Sequence, residues 1–336
     1  MRFLLDDEQR EFGATLDRML ASADTPAAIR SWATGEPGPG LALWSRVAQA
    51  GVFALAVPEE HGGTGLLPVE LAVAFVELGR HAAPGPLVET VAAAALLDRL
   101  DDKAAATAWL PGIAQGDVRL SLMLSQIPTP YALVAYSAEA VLVVAGDELR
   151  CATACGPVQP SIDPARRLAR PLGGEVLAAG PAVAAAADHA AQVAALLTAA
   201  QALGVGRRLL SETVAYAGQR TQFGAPIGSF QAVKHQLADV LIGLEFAQPL
   251  VYAAALALSG SAASSAREIA AAKVSACEAA YAAARTALQL HGAIGYTDEL
   301  PLSLWIRKAR ALRTAWGTPA SCRALILAEG CSLAEG

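Results

Sequence analysis

The chain of 336 residues has few charged groups, and acids slightly outnumber bases. Charged residues make up 17% of the sequence, the formal net charge is −6, and the isoelectric point is about 5.4. Without a basic excess, the chain has no electrostatic footprint for nucleic acid. Hydrophobic residues reach 54%. We therefore expect another subunit to cover part of so apolar a surface.

Cysteine is scarce and scattered, with five cysteines, no CxxC pair and no Cys/His cluster. We therefore expect no metal site and a reduced, cytoplasmic protein. The first residues, MRFLLDDEQREF, have acids where a signal peptide has its apolar core. The longest apolar stretch, residues 181–206, is rich in alanine and broken by Asp188 and His189. This pattern favours a buried helix over a membrane span.

Aromatic residues are also few, at 5%, so the apolar mass consists mostly of small aliphatic side chains that favour packed helices. Residues 1–115 have helical periodicity and predict an N-terminal helical domain. Residues 116–183 contain short apolar runs between turn residues and predict a shortened β domain of about five strands. Residues 184–336 predict four long helices packed as a bundle. The fold class is therefore mainly α with a small β middle domain.

One helix connection in the bundle carries an unusual set of groups. It reads RTQFGAPIGSFQ, from Arg220 to Gln231. The guanidinium of Arg220 suits a phosphate, Gln222 can bond amide or ribose groups, and Phe223 offers a flat face to a purine. A cation is also favourable at a helix C-terminus for electrostatic reasons alone, which is the simpler interpretation of Arg220.

A second connection, LQLHGAIGYTDELP, has a similar character. Gln289 precedes a Gly-rich turn that begins at Gly292, and such a turn exposes backbone N–H groups. Glycine after a helix is more often a simple C-cap, so this segment alone is weak evidence.

The order of these motifs resembles the C-terminal domain of acyl-CoA dehydrogenases: RTQFGAPIGSFQ, two helices, QLHGAIGY, WIRKAR and WGT. Two earlier segments, GVFALAVPEEHGGTGL and ELGRHAAPGP, resemble that family's first helical domain, so the resemblance covers nearly the whole chain. It implies a helical domain, a β domain and a four-helix bundle, assembled as a dimer of dimers with FAD lying across subunits. By this resemblance, the residues that contact the FAD of a neighbouring subunit are Arg220, Gln222, Phe223, Gln231, Gln289, Gly292 and Ala293. Ala293 stands where the family usually has a second glycine.

The chain departs from the family where the chemistry takes place. The family often carries its catalytic base in a Glu-Gly-Thr segment, and here the matching residues are Trp316, Gly317 and Thr318. An indole cannot accept the proton. Other acids of the bundle, Glu212, Asp298 and Glu299, are more simply solvated or ion-paired. Glu245 has apolar neighbours in IGLEFAQ and is a weak candidate for the base. The glycine-containing segment that grips the flavin ring in the family is replaced by SLMLSQIPTPYALV.

These departures resemble the shortened subunit of actinobacterial heterotetrameric acyl-CoA dehydrogenases that act on steroid side chains. We expect this chain to donate contacts to FAD adenosine, while a full-length homologue supplies the base and the flavin-ring contacts. An acyl-CoA is the expected substrate, and electron-transfer flavoprotein is the family's usual electron acceptor. Two alternatives remain open: a self-sufficient homo-oligomer with a relocated base, and a non-catalytic helical scaffold.

Overall fold

The computed structural model describes residues 4–127, 129–133, 137–260 and 265–332, and for residues 329–332 the backbone alone. The described N-terminal part contains six α-helices: α1 (Asp7–Ala21), α2 (Thr25–Thr34), α3 (Gly38–Gln49), α4 (Pro68–Arg80), α5 (Leu87–Asp98) and α6 (Ala104–Gln115).

Helix α1 shows how local sequence sets these elements. Asp6 and Gln9 form a capping box, in which each side chain accepts a hydrogen bond from the other residue's backbone N–H, at 2.8 and 3.1 Å. Leu16 and Leu20 recur at helical spacing and are fully buried. The helix therefore begins at its cap and packs through one apolar face.

The middle of the chain forms short strands. They are β1 (Leu120–Leu124), β2 (Ala132–Leu133), β3 (Ala140–Ala145), β4 (Glu148–Cys151), β5 (Ala154–Cys155), β6 (Leu168–Ala169), β7 (Pro171–Leu172) and β8 (Glu175–Ala179). Four of them form one sheet in the order β1-β3-β4-β8, with β1 parallel to β3 and the other neighbours antiparallel. The described residues of the middle domain thus contain eight strands rather than about five, because two-residue strands such as β6 and β7 carry too little pattern to be recognised. Residues 128 and 134–136 of the predicted strand region lie outside the described residues.

The C-terminal part is a helical bundle. It consists of α7 (Pro181–Gln219), α8 (Gln231–Ser259), α9 (Ser265–His291), α10 (Ser303–Leu312) and α11 (Pro319–Ser332), with a small hairpin, β9 (Thr221–Gln222) and β10 (Ala225–Pro226), between α7 and α8. The last of the four predicted bundle helices is divided into α10 and α11, with a break near Gly317. Residues 333–336 of that prediction lie outside the described residues.

A buried lysine holds the break between α10 and α11. Lys273 of α9 is 1% exposed, and its ammonium donates to the carbonyl oxygens of Leu312 at 3.1 Å and Gly317 at 3.2 Å. These carbonyls have no partner within a continuous helix, since Gly317 adopts a positive φ and α11 starts at Pro319. The segment that carries Trp316 is therefore fixed to the bundle core.

By length and composition alone, α7 and α8 could each cross a membrane. The apolar window of α7 is 61% buried inside the fold, and that of α8 is 39% buried. Core helices of soluble proteins pass the same test, so the two helices are weak evidence for a span.

The N-terminal domain meets the bundle through a close approach of two helix backbones. Gly79 of α4 faces the Gln201 carbonyl of α7, and Gly204 of α7 faces the Val76 carbonyl of α4. A Cβ atom on Gly204 would overlap that carbonyl and lie 2.7 Å from the backbone nitrogen of Arg80. Only glycine fits at these two positions, because the atoms in the way are rigid backbone.

We predict that Gly204→Ala destabilises the protein by about 1 to 3 kcal/mol, since α4 and α7 must separate to admit the methyl group. Gly218→Ala is the matched control in the same helix, because a Cβ atom there meets nothing within 4 Å. It should be neutral or stabilise the protein by up to about 1 kcal/mol. Urea unfolding of the two variants measures both changes, and equal midpoints would refute the close contact.

Candidate functional site

Three helix ends meet at one end of the bundle. The C-terminal ends of α7 and α9 lie side by side, where the rings of Tyr216 and His291 stack with centroids 4.1 Å apart. Helix α8 begins next to them, after the β9–β10 hairpin. The two segments singled out in the sequence, after Gln219 and after Gln289, are therefore neighbours in space.

The hairpin presents an aromatic ring to the outside. Its two-residue loop is Phe223-Gly224, and both residues have positive φ, +55° and +79°. Such loops favour Asn or Gly at the first position, and a bulky residue there costs about 1 kcal/mol or more. Phe223 is nevertheless 95% exposed. A strained backbone that supports an exposed ring indicates a contact surface rather than a packing role.

The other six predicted FAD-contacting residues lie at the same end of the bundle, at the ends of α7, α8 and α9 or in the turns beside them. All seven are exposed: Arg220, Gln222, Phe223, Gln231, Gln289, Gly292 and Ala293. Gly292 has a φ of +63°, and the space where a side chain would extend is open, so a ligand can approach its backbone.

A groove of about 470 Å³ between α8 and α9 continues this surface and includes Gln289. It also contains Gln236 and Arg285, which the sequence analysis did not identify because each lies within a regular helix. The guanidinium groups of Arg220 and Arg285, several side-chain amides and the exposed ring of Phe223 belong to this surface. Together with the open backbone at Gly292, they suit a ligand in which an anionic group is joined to a flat ring system.

A second feature is a cavity of about 360 Å³ between the middle domain and the bundle, called here the central cavity. Apolar side chains from β1 and the following loops form much of its wall, and the segment after α10 closes one side. Polar groups also reach it, among them Tyr131, Arg166 and Arg310. Among the described residues that line the cavity, Glu89 is the sole carboxyl group.

Glu89 lies on α5 in the run LVETVAAAALL and is 3% exposed. Its Oε1 accepts a hydrogen bond from the indole Nε1–H of Trp316 at 3.1 Å. Burial raises the pKa of Glu89 above its ordinary value of 4.5, and the positive charges of Arg166 and Lys308 and the Trp316 bond oppose that rise. Lys308 is itself paired with the buried Asp163 at 3.3 Å.

The position expected to hold the base is thus occupied by an indole that bonds a carboxyl from another helix. Trp316 has a φ of +53°, a strained backbone conformation for a tryptophan. Sequence analysis missed Glu89 because α5 is apolar on all sides. A single acid in such an apolar run is itself a signal of a buried functional or paired carboxyl, since charged residues are rarely buried without a partner.

Glu245, the weak candidate, lies elsewhere. Its side chain is 58% exposed on α8 and pairs with Arg207 at 3.4 Å. Its apolar neighbours in the sequence include Ile242 and Phe246, which face outward. Glu245 does not line the central cavity.

Three groups with metal-ligand chemistry, those of Asp17, Glu77 and His81, lie within 4.8 Å of one another. Arg80 already compensates their charge, with its guanidinium 2.6 Å from Glu77 and 3.9 Å from Asp17. His81 also bonds Asp17 at 2.7 Å. We interpret the cluster as an ion-pair network, so the absence of a metal site stays a prediction.

Comparison with known proteins decides the family. Residues 184–330 match the acyl-CoA dehydrogenase C-terminal domain, and residues 6–117 match the acyl-CoA dehydrogenase N-terminal domain. This chain belongs to the acyl-CoA dehydrogenase family. It is 35% identical over 309 residues to the acyl-CoA dehydrogenase IpdE2 of Mycobacterium tuberculosis, a match that covers 90% of this chain and 91% of the relative.

Two solved structures have the same fold. A variant of the Tcur3481-Tcur3483 steroid ACAD superposes with a TM-score of 0.84 at 25% identity, covering 98% of this chain and 99% of that one. The ChsE4-ChsE5 complex from Mycobacterium tuberculosis gives a TM-score of 0.84 at 24% identity and covers both chains completely, at 100%. The predicted fold class and the predicted cofactor, FAD, are confirmed, since this is a family of FAD-dependent dehydrogenases.

Glu89 should make stability depend on pH. Because its pKa is raised in the folded protein, the unfolded chain loses the proton first as pH increases above 4.5. Wild-type stability should then fall with rising pH until the folded-state pKa is passed. Glu89→Gln carries no titrating proton, so we predict that it gains stability relative to wild type over that range. Urea unfolding at a series of pH values measures the difference, and a constant difference would contradict the raised pKa.

Proposed function

We propose that this chain is the cofactor-sharing subunit of an FAD-dependent acyl-CoA dehydrogenase. In this proposal, a full-length homologue supplies the base and the flavin-ring contacts of its own site. This chain supplies contacts to the adenosine end of that FAD. The observation that carries the proposal is the exposed cluster of Arg220, Gln222 and Phe223 beside the turn at Gly292. The flavin-gripping segment of the family has no counterpart in this sequence.

The roles in the cluster follow from its chemistry. Arg220 would pair with the pyrophosphate, the ring of Phe223 would stack on adenine, and Gln222, Gln231 and the Gln289–Ala293 turn would bond polar groups. When bound, FAD accepts the hydride that leaves the β carbon of the acyl thioester.

An exposed apolar face supports assembly with another subunit. Ile242, Phe246 and Leu250 recur every four residues on α8, and Phe246 is 70% exposed. Large apolar side chains in such a row favour burial against a partner. The two similar structures are named for pairs of chains, which agrees with a heteromeric assembly.

The acyl group we propose is a bulky polycyclic one, such as a steroid side chain. One similar structure is named a steroid ACAD, and the altered sequence around the central cavity is compatible with a large substrate. Electron-transfer flavoprotein is the proposed acceptor, and the protein is proposed to act in the cytoplasm.

The shared cofactor predicts the effect of one substitution. In the complex co-expressed with a full-length homologue, Arg220→Ala should lower flavin content at least about tenfold, since a charge-assisted contact to phosphate is lost. Arg170→Ala, at another exposed arginine in the middle domain, is the control and should leave flavin unchanged. Flavin absorbance per chain measures both. Full flavin retention in Arg220→Ala would favour the non-catalytic scaffold.

A second candidate is a self-sufficient homo-oligomer, and the buried Glu89 in the central cavity favours it. The flavin-to-chain ratio separates the two. We predict two flavins per four chains in a complex that contains a full-length homologue, and little flavin in this chain purified alone. A yellow, active homo-oligomer of this chain with one flavin per chain would contradict the heteromeric proposal.

A further inference from the structure

We propose that Glu89 is the catalytic base of this chain's own pocket, where it accepts the proton from the carbon α to the thioester carbonyl of a bound acyl-CoA. The inference rests on the proposed acyl-CoA dehydrogenase function. It holds for the homo-oligomer. In a heteromer with two flavins per four chains, it predicts a second acyl site on this chain that exchanges the α proton without oxidising the substrate.

The geometry of the central cavity supports this role for Glu89. Dehydrogenation of an acyl thioester requires a base beside the substrate, and Glu89 is the sole carboxyl among the described residues that line the central cavity. Its carboxyl is held 3.1 Å from the indole nitrogen of Trp316, so it cannot turn freely away from that wall. The Glu89 carboxyl on α5 therefore contacts Trp316 in the segment 316–318, which matches the Glu-Gly-Thr segment that carries the catalytic glutamate in many acyl-CoA dehydrogenases.

The charges near Glu89 also support this role. With Glu89 ionised, the positive charges of Arg166 and Lys308 offset the negative charges of Glu89 and Asp163. Arg310 and the phenol of Tyr131 also line the cavity. Burial pushes the pKa of Glu89 upward, and the cations keep the anion accessible. A carboxylate with a raised pKa is a stronger base than one in water.

The step is balanced without a further reagent. The Cα–H bond breaks, the O–H bond of the Glu89 carboxyl forms, and the electron pair stays on the thioester as its enolate. Return of the proton restores the substrate, so in D₂O the α carbon gains deuterium even without net oxidation. Isotope exchange therefore reports on Glu89 separately from flavin reduction.

The test uses the assembled complex with a full-length homologue whose Glu-Gly-Thr glutamate is replaced by glutamine, so that exchange reports on this chain. The probes are octanoyl-CoA and an acyl-CoA with a polycyclic ring system, and mass spectrometry measures α-deuterium under anaerobic conditions. We expect exchange with wild type and a loss of about 100-fold or more in Glu89→Gln. Glu89→Asp should recover part of the rate. Flavin content should stay unchanged in all three.

The pH profile separates a catalytic role from a structural one. Trp316→Phe removes the N–H that stabilises the carboxylate, so the midpoint of the exchange rate should move to higher pH. An unchanged rate in Glu89→Gln, no exchange in wild type, or a loss of flavin along with exchange would each overturn the assignment. If Glu89→Gln keeps the wild-type exchange rate, or if the wild type shows no exchange, the proposed function still stands as long as flavin binding depends on Arg220.

Discussion

The contact between α4 and α7 is the constraint on which both candidate sites depend. Two glycines, Gly79 and Gly204, let the helix backbones touch, and no side chain can stand between them. Helix α5 follows α4 after a short turn and packs on the same long helix, which brings Glu89 to the wall of the central cavity. At its other end, α7 is capped by Arg220, which belongs to the exposed cluster. One rigid helix thus joins the N-terminal domain, the cavity and the exposed cluster.

The two sites differ in how far sequence could predict them. The exposed cluster depends on residues near each other in the chain, at helix ends marked by Gly and Pro, so RTQFG and QLHG could be recognised directly. The two segments lie close together because α7 and α9 end side by side. The central cavity is assembled from α5, β1 and the segment after α10, which are far apart in the sequence. No local pattern could predict that Glu89 meets Trp316.

Similar reasons explain the smaller differences. Long helices such as α8 and α9 carry many turns of apolar pattern, and their presence could be predicted from it. Strands of two residues, such as β6 and β7, carry no periodicity and exist because a partner strand lies alongside. Glu245 attracted attention through apolar neighbours, but those neighbours belong to an outward face of α8. Local hydrophobicity does not distinguish a core from an uncovered interface.

The central claim is that this chain's helix-end cluster contacts the adenosine part of FAD within the assembled enzyme. Amide hydrogen exchange of the deflavinated complex, before and after FAD is added back, tests it most directly. We expect FAD to give new protection in residues 220–231 and 289–296 of this chain. Protection confined to the partner, with these two segments unchanged, would contradict it.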